Sequence, residues 1–94
     1  MFIVTLNYLV GLSEVEKYLP LHIEYLDQCY DDGIFLMSGP TEPRTGGVIL
    51  ATSPSKEVLE LALSEDPFFK TGIAEYNITE FVPTKSMKEL NYLI

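Results

Sequence analysis

Residues 34–53, IFLMSGPTEPRTGGVILATS, decide the fold of this chain. Two apolar runs, IFLMSG at 34–39 and VILATS at 48–53, flank the turn-rich segment PTEPRTGG. Short runs that are rich in β-branched and aromatic residues and bounded by Gly and Pro are typical of strands. We therefore predict two consecutive strands that form an antiparallel hairpin, with no helix between them.

A strand and a helix are predicted before this hairpin. FIVTLNYL at 2–9 alternates as a strand does, and apolar residues then recur at helical spacing. Ser13 and Glu16 have the spacing of a capping box, which predicts that the helix begins near Glu14. Gly33 is expected to end the helix, because glycine is the preferred residue just past a helix C-terminus.

A second helix and a fourth strand are predicted after the hairpin. Ser53 followed by proline is typical of a helix start, which predicts a helix over 54–64. Asp66, also followed by proline, predicts a turn or a short helix with Asp66 as its cap. IAEYNITEFV at 73–82 is the fourth predicted strand, and a short amphipathic turn is expected in the tail.

This order, βαββαβ, predicts a ferredoxin-like α+β plait. Right-handed crossovers place both helices on one face of a four-stranded antiparallel sheet. We expect one domain over 1–94, with its core in 2–82 and a C-terminal tail in 83–94, because 94 residues provide for only one hydrophobic core.

Alternation along the strands predicts apolar side chains on both faces of the sheet. In the first strand, Phe2 and Val4 lie on one face, and Ile3 lies on the other. Two helices cover only one face, and a contiguous exposed apolar patch is unusual on a monomer. The favoured cover is a second copy packed sheet to sheet, which gives a homodimer through the open sheet face. The alternative is that the tail folds back with Met87, Leu90, Tyr92, Leu93 and Ile94.

Composition excludes several function classes. The chain has 14 acidic and 6 basic residues and a net charge of −8, which opposes binding to nucleic acids and to anionic membranes. The N-terminus lacks the basic region and cleavage site of a signal peptide, and no apolar run is long enough to cross a bilayer. Together with the single cysteine, Cys29, these features predict a cytoplasmic protein.

His22 and Asp66 are the candidate catalytic residues. His22 is the only histidine and lies on the apolar stripe of the first helix, so it is either a packed core residue or an acid–base group. Asp66 either caps the turn that follows it or faces His22 and orients its ring. One His and one Cys leave too few ligands for a zinc site, so neither a metal nor a cofactor is indicated.

The end of the second strand is a candidate pocket rim. The hydroxyl of Ser38 and the accessible backbone at Gly39 and Pro40 suit a ligand contact, although an ordinary turn explains them equally well. Arg44 is the only arginine and is either a contact for an anionic ligand or a solvated loop residue.

Three motifs in the chain resemble the YCII-related family of small proteins: LPLHIEYL, GIFLMSGP and LSEDPFFKTGIAEYNITEF. The resemblance extends from residue 2 to about residue 82. It implies a dimeric α+β barrel of ferredoxin-like subunits and a pocket with a His–Asp pair. Carried over by motif, the pair is His22 and Asp66, and the substrate-binding residues are Ser38, Gly39, Pro40 and Phe68.

The resulting hypothesis is a small-molecule enzyme in which the His–Asp pair transfers a proton. The chemistry that the resemblance implies is dehydrochlorination or isomerisation of small ring compounds, without a cofactor. Two alternatives are a non-catalytic module that binds a metabolite in the same pocket, and a purely structural packing pair formed by His22 and Asp66.

Overall fold

The computed structural model describes residues 1–94 and confirms the predicted ferredoxin-like plait. Its elements are β1 (Phe2–Tyr8), α1 (Leu12–Asp31), β2 (Phe35–Pro40), β3 (Gly46–Ala51), α2 (Lys56–Leu63), α3 (Pro67–Lys70), β4 (Ala74–Glu80) and a 3₁₀ helix (Lys88–Leu93). The strands form one antiparallel sheet in the order β2-β3-β1-β4. None of the helices combines the length and the apolar character that crossing a bilayer requires.

The core lies between the helices and one face of the sheet, which we call the inner face. Phe2 and Val4 of β1 are almost fully buried there, whereas Ile3 between them is exposed. Val15 of α1 and Leu59 of α2 belong to the same buried cluster. The period of two along β1 and the apolar stripes of the helices therefore meet as the sequence predicts.

The opposite, outer face of the sheet is apolar in part only. Ile3 pairs with Leu50 of β3, which pairs with Met37 of β2, and this register places the three side chains on one face. Val48 adds to this patch, which is 37% exposed at Ile3 and 65% exposed at Met37. On β4 the same face carries three polar residues, Glu75, Asn77 and Thr79. The predicted apolar outer face is thus restricted to β1, β2 and β3.

The tail does not cover this patch in the monomer. Met87 and Tyr92 are 65% and 76% exposed, and the 3₁₀ helix contains no buried residue. The folded-back tail considered from the sequence is therefore not observed.

The predicted N-caps of α1 and α2 are each wrong by two residues. Gly11 caps α1, because its extended backbone lets its carbonyl accept from the amides of Glu14 and Val15, and no side chain caps this helix. The predicted capping box at Ser13 already lies inside the helix. The C-terminal prediction is confirmed: Gly33 has a φ of 76°, a left-handed conformation that favours glycine.

α2 is capped by Ser55 rather than by the predicted Ser53. The Ser55 hydroxyl accepts from the amide of Val58 at 3.2 Å. The Ser53 hydroxyl instead donates a hydrogen bond to the Ser55 carbonyl at 2.9 Å, which fixes the conformation of the chain just before α2. Two serines that flank a proline are hard to separate as caps from sequence alone.

β3 begins at Gly46, two residues before the predicted strand. Gly46 pairs with Asn7 and is buried against β1. A Cβ atom at Gly46 would lie 1.8 Å from the carbonyl oxygen of Leu6, so only glycine permits this approach of the two strands. The glycine pair that reads as a turn is therefore part of the sheet.

Replacing Gly46 by alanine is expected to weaken the fold. The added methyl group must separate β1 from β3, and Gly46→Ala should lower the free energy of unfolding in urea by at least about 1–3 kcal/mol. Gly39→Ala is the matched control in β2, since no heavy atom lies within 4 Å of its added Cβ. The control should change stability by less than about 0.5 kcal/mol. Equal stability of the two variants would contradict this packing.

Candidate functional site

A cavity of about 540 Å³ lies between α1 and the inner face of the sheet. Most of its wall is apolar, with side chains such as Leu6, Leu26 and Ile49. The polar groups that reach it come from His22, Ser38 and Arg44, together with the phenol of Tyr8. A mostly apolar cleft with a few placed polar groups is typical of a small-molecule site.

His22 and Asp66 meet behind this cavity, although 44 residues separate them in the sequence. Nδ1 of His22 lies 2.8 Å from Oδ1 of Asp66. The helical period brings His22 here, because Val15, His22 and Cys29 recur at intervals of two turns and form the buried stripe of α1. Asp66 arrives from the short connection between α2 and α3.

The carboxylate of Asp66 is completely buried and accepts three hydrogen bonds. Oδ1 accepts from His22 and from the backbone amide of Phe68 at 3.0 Å, and Oδ2 accepts from the phenol of Tyr76. The Phe68 bond confirms the prediction that Asp66 caps the first turn after Pro67. The cap and the contact with His22, which were alternatives from the sequence, therefore coexist in one carboxylate.

The surroundings of Asp66 determine which nitrogen of His22 carries the proton. A carboxylate that already accepts from Phe68 offers only lone pairs to the ring, so Nδ1 of His22 must donate. In the neutral ring, Nε2 then has a free lone pair. Nε2 has no hydrogen-bond partner, and every buried side-chain nitrogen or oxygen has one. Nε2 is therefore accessible, and His22 lines the cavity.

Phe68 stacks on the face of the His22 imidazole. Its ring is parallel to that of His22 at 3.9 Å between centroids, with an angle of 5° between the planes. Tyr8 and Phe68 pack in a T-shaped arrangement with 6.1 Å between their ring centroids. Phe68 is 1% exposed and lies on the cavity wall, so it fixes the ring plane of His22 and supplies apolar surface to a ligand.

The end of β2 forms another part of the cavity wall. Ser38, Gly39 and Pro40 all line it. Ser38 pairs with Ile49, a buried residue of the inner face, so its side chain lies on the helix side of the sheet. Its hydroxyl lies 2.6 Å from the phenol oxygen of Tyr30. Five of the six residues predicted from the sequence thus line one cavity, and the sixth, Asp66, lies in the layer behind it.

Two contributors escape sequence reasoning. Tyr76 reads as an ordinary strand residue, and Tyr30 as part of the packed side of α1. For Tyr76 the signal was the alternation of β4, since Tyr76 pairs with Leu6 and so lies on the inner face near α3. Its target carboxylate could not be identified without the tertiary contact.

Burial keeps the phenol of Tyr76 protonated. Burial, and then the negative charge of Asp66 and the hydrogen bond to it, raise the pKa of Tyr76 well above its ordinary value of 10.0. Burial likewise raises the pKa of Tyr25, whose phenol donates to the Ala62 carbonyl at 2.7 Å. Tyr76 is therefore a permanent donor to Asp66 at physiological pH.

This pKa shift predicts a loss of stability at alkaline pH. Above pH 10.0, the ordinary value for Tyr76, the unfolded chain releases the phenol proton and the folded protein retains it, so the free energy of unfolding falls as pH rises. Tyr76→Phe should make this fall shallower by about 1 kcal/mol per pH unit in urea denaturation between about pH 10 and 11. Tyr92→Phe removes an exposed phenol and should leave the slope unchanged. Parallel slopes for Tyr76→Phe and the wild type would contradict the burial of this donor.

Metal ligands do not cluster at this site or elsewhere. No group of three or more His, Cys, Asp or Glu side chains has an arrangement that could hold a metal ion. The groups available for chemistry at the cavity are the accessible imidazole nitrogen of His22, the hydroxyl groups of Ser38 and Tyr8, and the guanidinium group of Arg44.

Comparison with solved structures places this fold among small α+β proteins. A 5-chloro-2-hydroxyhydroquinone dehydrochlorinase from Burkholderia phenoliruptrix AC1100, in complex with 2,5-dihydroxybenzoquinone, superposes with a TM-score of 0.74 at 18% identity. The match covers 86% of this chain and 92% of that one. An antibiotic biosynthesis monooxygenase superposes with a TM-score of 0.58 at 14% identity, over 88% of this chain and 100% of that one. At these identities the likeness shows the shared fold.

Sequence comparison identifies the family. No curated protein matches the chain. The YCII-related domain matches residues 1–82, which include all four strands, the three α-helices and every residue of the site described above. The chain therefore belongs to the YCII-related domain family.

Proposed function

We propose that this protein is a small-molecule enzyme that catalyses a lyase or isomerase reaction, and that His22 transfers a proton in that reaction. The observation that carries the proposal is the unequal environment of the two ring nitrogens of His22: Nδ1 contacts the buried Asp66, whereas Nε2 is accessible on a residue that lines the apolar cavity. A general base requires such a lone pair within reach of the substrate, and a buried carboxylate stabilises the imidazolium that forms.

The reaction begins when Nε2 of His22 accepts a proton from a C–H or O–H group of the ligand. The negative charge of Asp66 stabilises the positive ring while the ligand holds the released electron pair. In an isomerisation, His22 returns the proton to another atom of the ligand. In an elimination, a leaving group such as chloride departs with its bonding electrons, and the proton passes to solvent.

Apolar walls favour a compact ring compound as the ligand. Leu26 and Ile49 offer only dispersion contacts, and Phe68 offers an aromatic face. A ligand that binds between these walls next to His22 loses its hydration, which strengthens its electrostatic contact with the imidazole. The dehydrochlorinase of the same fold, solved with 2,5-dihydroxybenzoquinone, supports a hydroxylated six-membered ring as the first class to test.

We further propose that the protein acts as a homodimer through the outer face of the sheet. The contiguous patch of Ile3, Met37, Val48 and Leu50 remains open in the monomer. Face-to-face packing of two such sheets at about 10 Å would bury both patches. The polar residues of β4 then lie at the rim of the interface, where solvent reaches them.

Replacing His22 by glutamine tests the catalytic role. Glutamine keeps a donor for Asp66 but has no basic nitrogen, so kcat for chloride release from 5-chloro-2-hydroxyhydroquinone should fall by about 10²–10⁴. Binding of 2,5-dihydroxybenzoquinone, measured by calorimetry, should persist. Lys17→Gln is the control, because Lys17 is exposed and lies outside the cavity.

Each other outcome selects a different function. Unchanged chloride release in His22→Gln would refute the proton-transfer role. Saturable binding without turnover in the wild type would favour a metabolite-binding module. If the wild type neither binds nor turns over these compounds, and the substitution lowers only the free energy of unfolding, His22 and Asp66 are a structural pair.

Removing the phenol of Tyr76 should weaken catalysis less than removing His22. Tyr76→Phe leaves Oδ2 of Asp66 without its donor, which should lower the free energy of unfolding at neutral pH by about 1–3 kcal/mol. The contact of His22 Nδ1 with Asp66 persists in Tyr76→Phe, so kcat should fall, but less than in His22→Gln. KM should stay near the wild-type value. A KM effect alone would contradict this positioning role.

A charge on the outer face tests the dimer. Ile3→Glu places a carboxylate in the centre of the apolar patch and should convert a wild-type dimer to a monomer in sedimentation equilibrium. Val58→Glu on α2 is the matched control: Val58 is 43% exposed and Ile3 is 37% exposed, but Val58 lies outside the outer face. A monomeric wild type, or an Ile3→Glu dimer, would refute this interface.

A further inference from the structure

The cavity has a charge environment unlike that of the rest of the chain. The protein carries 14 acidic and 6 basic residues, yet no Asp or Glu lines the cavity, and Arg44 is its only permanently charged residue. Asp66, the nearest carboxylate to His22, lies behind the ring, is fully buried and is compensated by three donors. Arg44 is therefore the one permanently charged side chain that a ligand in the cavity can contact.

Arg44 reaches the cavity from the loop between β2 and β3. Its Nη1 donates to Oε1 of Glu16 on α1 at 2.6 Å, so the guanidinium spans from the loop to the helix. Arg44 is 35% exposed and Glu16 is 52% exposed in their side chains. An exposed pair of this kind contributes little to stability and can exchange its carboxylate for another anion.

We propose that Arg44 is the specificity-determining residue of the site and binds an anionic oxygen group on a ring-sized substrate, with Glu16 occupying its place when no ligand is bound. This inference rests on the proposed function of the cavity and names its substrate class: a mainly apolar ring that carries a carboxylate or an ionised hydroxyl. The guanidinium group offers several donors in one plane, which suits an oxygen anion.

The spacing along α1 fits this substrate class. Glu16 precedes His22 by six residues, which corresponds to about 9 Å along the helix axis at 1.5 Å per residue. Arg44, which pairs with Glu16, and His22 both line the cavity, so a six-membered ring with one short substituent is of a size to contact both. Arg44 thus binds the anionic end, and the reacting atom faces the histidine.

A structural role for the ion pair makes a different prediction. If Arg44 and Glu16 only hold the loop against α1, neutralising Glu16 should loosen the cavity wall and weaken every ligand. If Glu16 instead competes with the ligand for Arg44, neutralising it should strengthen the binding of anions and leave neutral ligands unchanged. The sign of the Glu16 effect therefore separates the two roles.

The test compares benzoate with benzamide, which share ring size and shape and differ in charge. Binding is followed by NMR through the ring signals of His22, the only histidine of the chain. The wild type should bind benzoate about tenfold more tightly than benzamide, because a charge-assisted hydrogen bond is about twice as strong as a neutral one. Arg44→Gln should abolish this preference, and Glu16→Gln should tighten benzoate binding a few-fold.

Lys17→Gln is the matched control for the Arg44 variant. It removes the same charge from the same region, but Lys17 pairs with Glu14 and does not line the cavity. It should therefore retain the preference for benzoate. Loss of the preference in Lys17→Gln as well would show a general effect of net charge and overturn the assignment to Arg44.

The remaining outcomes distinguish this inference from the proposed function. Equal binding of both probes in the wild type, or a preference that persists in Arg44→Gln, overturns the role of Arg44 and leaves the cavity as a ligand site. Weaker binding of both probes in Glu16→Gln also overturns it. If neither probe shifts the His22 signals up to its solubility limit, the ligand cavity itself is refuted together with this inference.

Discussion

The buried carboxylate of Asp66 is the constraint on which the site depends. An ionised carboxylate without partners is costly in a protein interior, so a residue with no exposure must be compensated fully. Three elements supply the donors: α1 through His22, α3 through the amide of Phe68, and β4 through Tyr76. The same hydrogen bonds that neutralise the charge join the helices to the edge of the sheet and orient the imidazole.

The proposed chemistry follows from the different environments of the two ring nitrogens of His22. Because Asp66 occupies Nδ1, the free lone pair of neutral His22 is on Nε2, which is accessible, and His22 lines the cavity. Phe68 restricts the ring plane by stacking at 3.9 Å. An oriented imidazole in an apolar cavity can accept a proton without first ordering itself, and the proposed anion contact at Arg44 would place the substrate relative to it.

Sequence patterns predicted the elements and their order well, but not all of their ends. Alternation in β1 and helical spacing in α1 report burial directly, so the inner face and the stripe with His22 were predictable. The glycines at 46 and 47 read as a turn, because their use in the sheet depends on an approach to Leu6 from a distant strand. Ser53 and Ser55 are equivalent as caps until the path of the chain before α2 is known.

Site residues that belong to a sequence motif could be predicted, whereas those that only a tertiary contact brings to the site could not. The motifs around His22 and Asp66 suggested a pair, yet no spacing shows that residues 44 positions apart touch. Tyr76 had no motif of its own, and its role comes only from the bond to Asp66. Arg44 had two interpretations from the sequence, and its position on the cavity wall is what favours the functional one.

The orientation of His22 by Asp66 is tested most directly by an ¹⁵N NMR measurement of which ring nitrogen of neutral His22 carries the proton. With one histidine in the chain, the signals need no assignment. We expect the Nδ1–H form, because Asp66 can only accept at Nδ1. The unprotonated Nε2 signal should shift when 2,5-dihydroxybenzoquinone is added. A ring that carries its proton on Nε2 would contradict the proposed role of His22, since the accessible nitrogen would then have no lone pair to accept a proton.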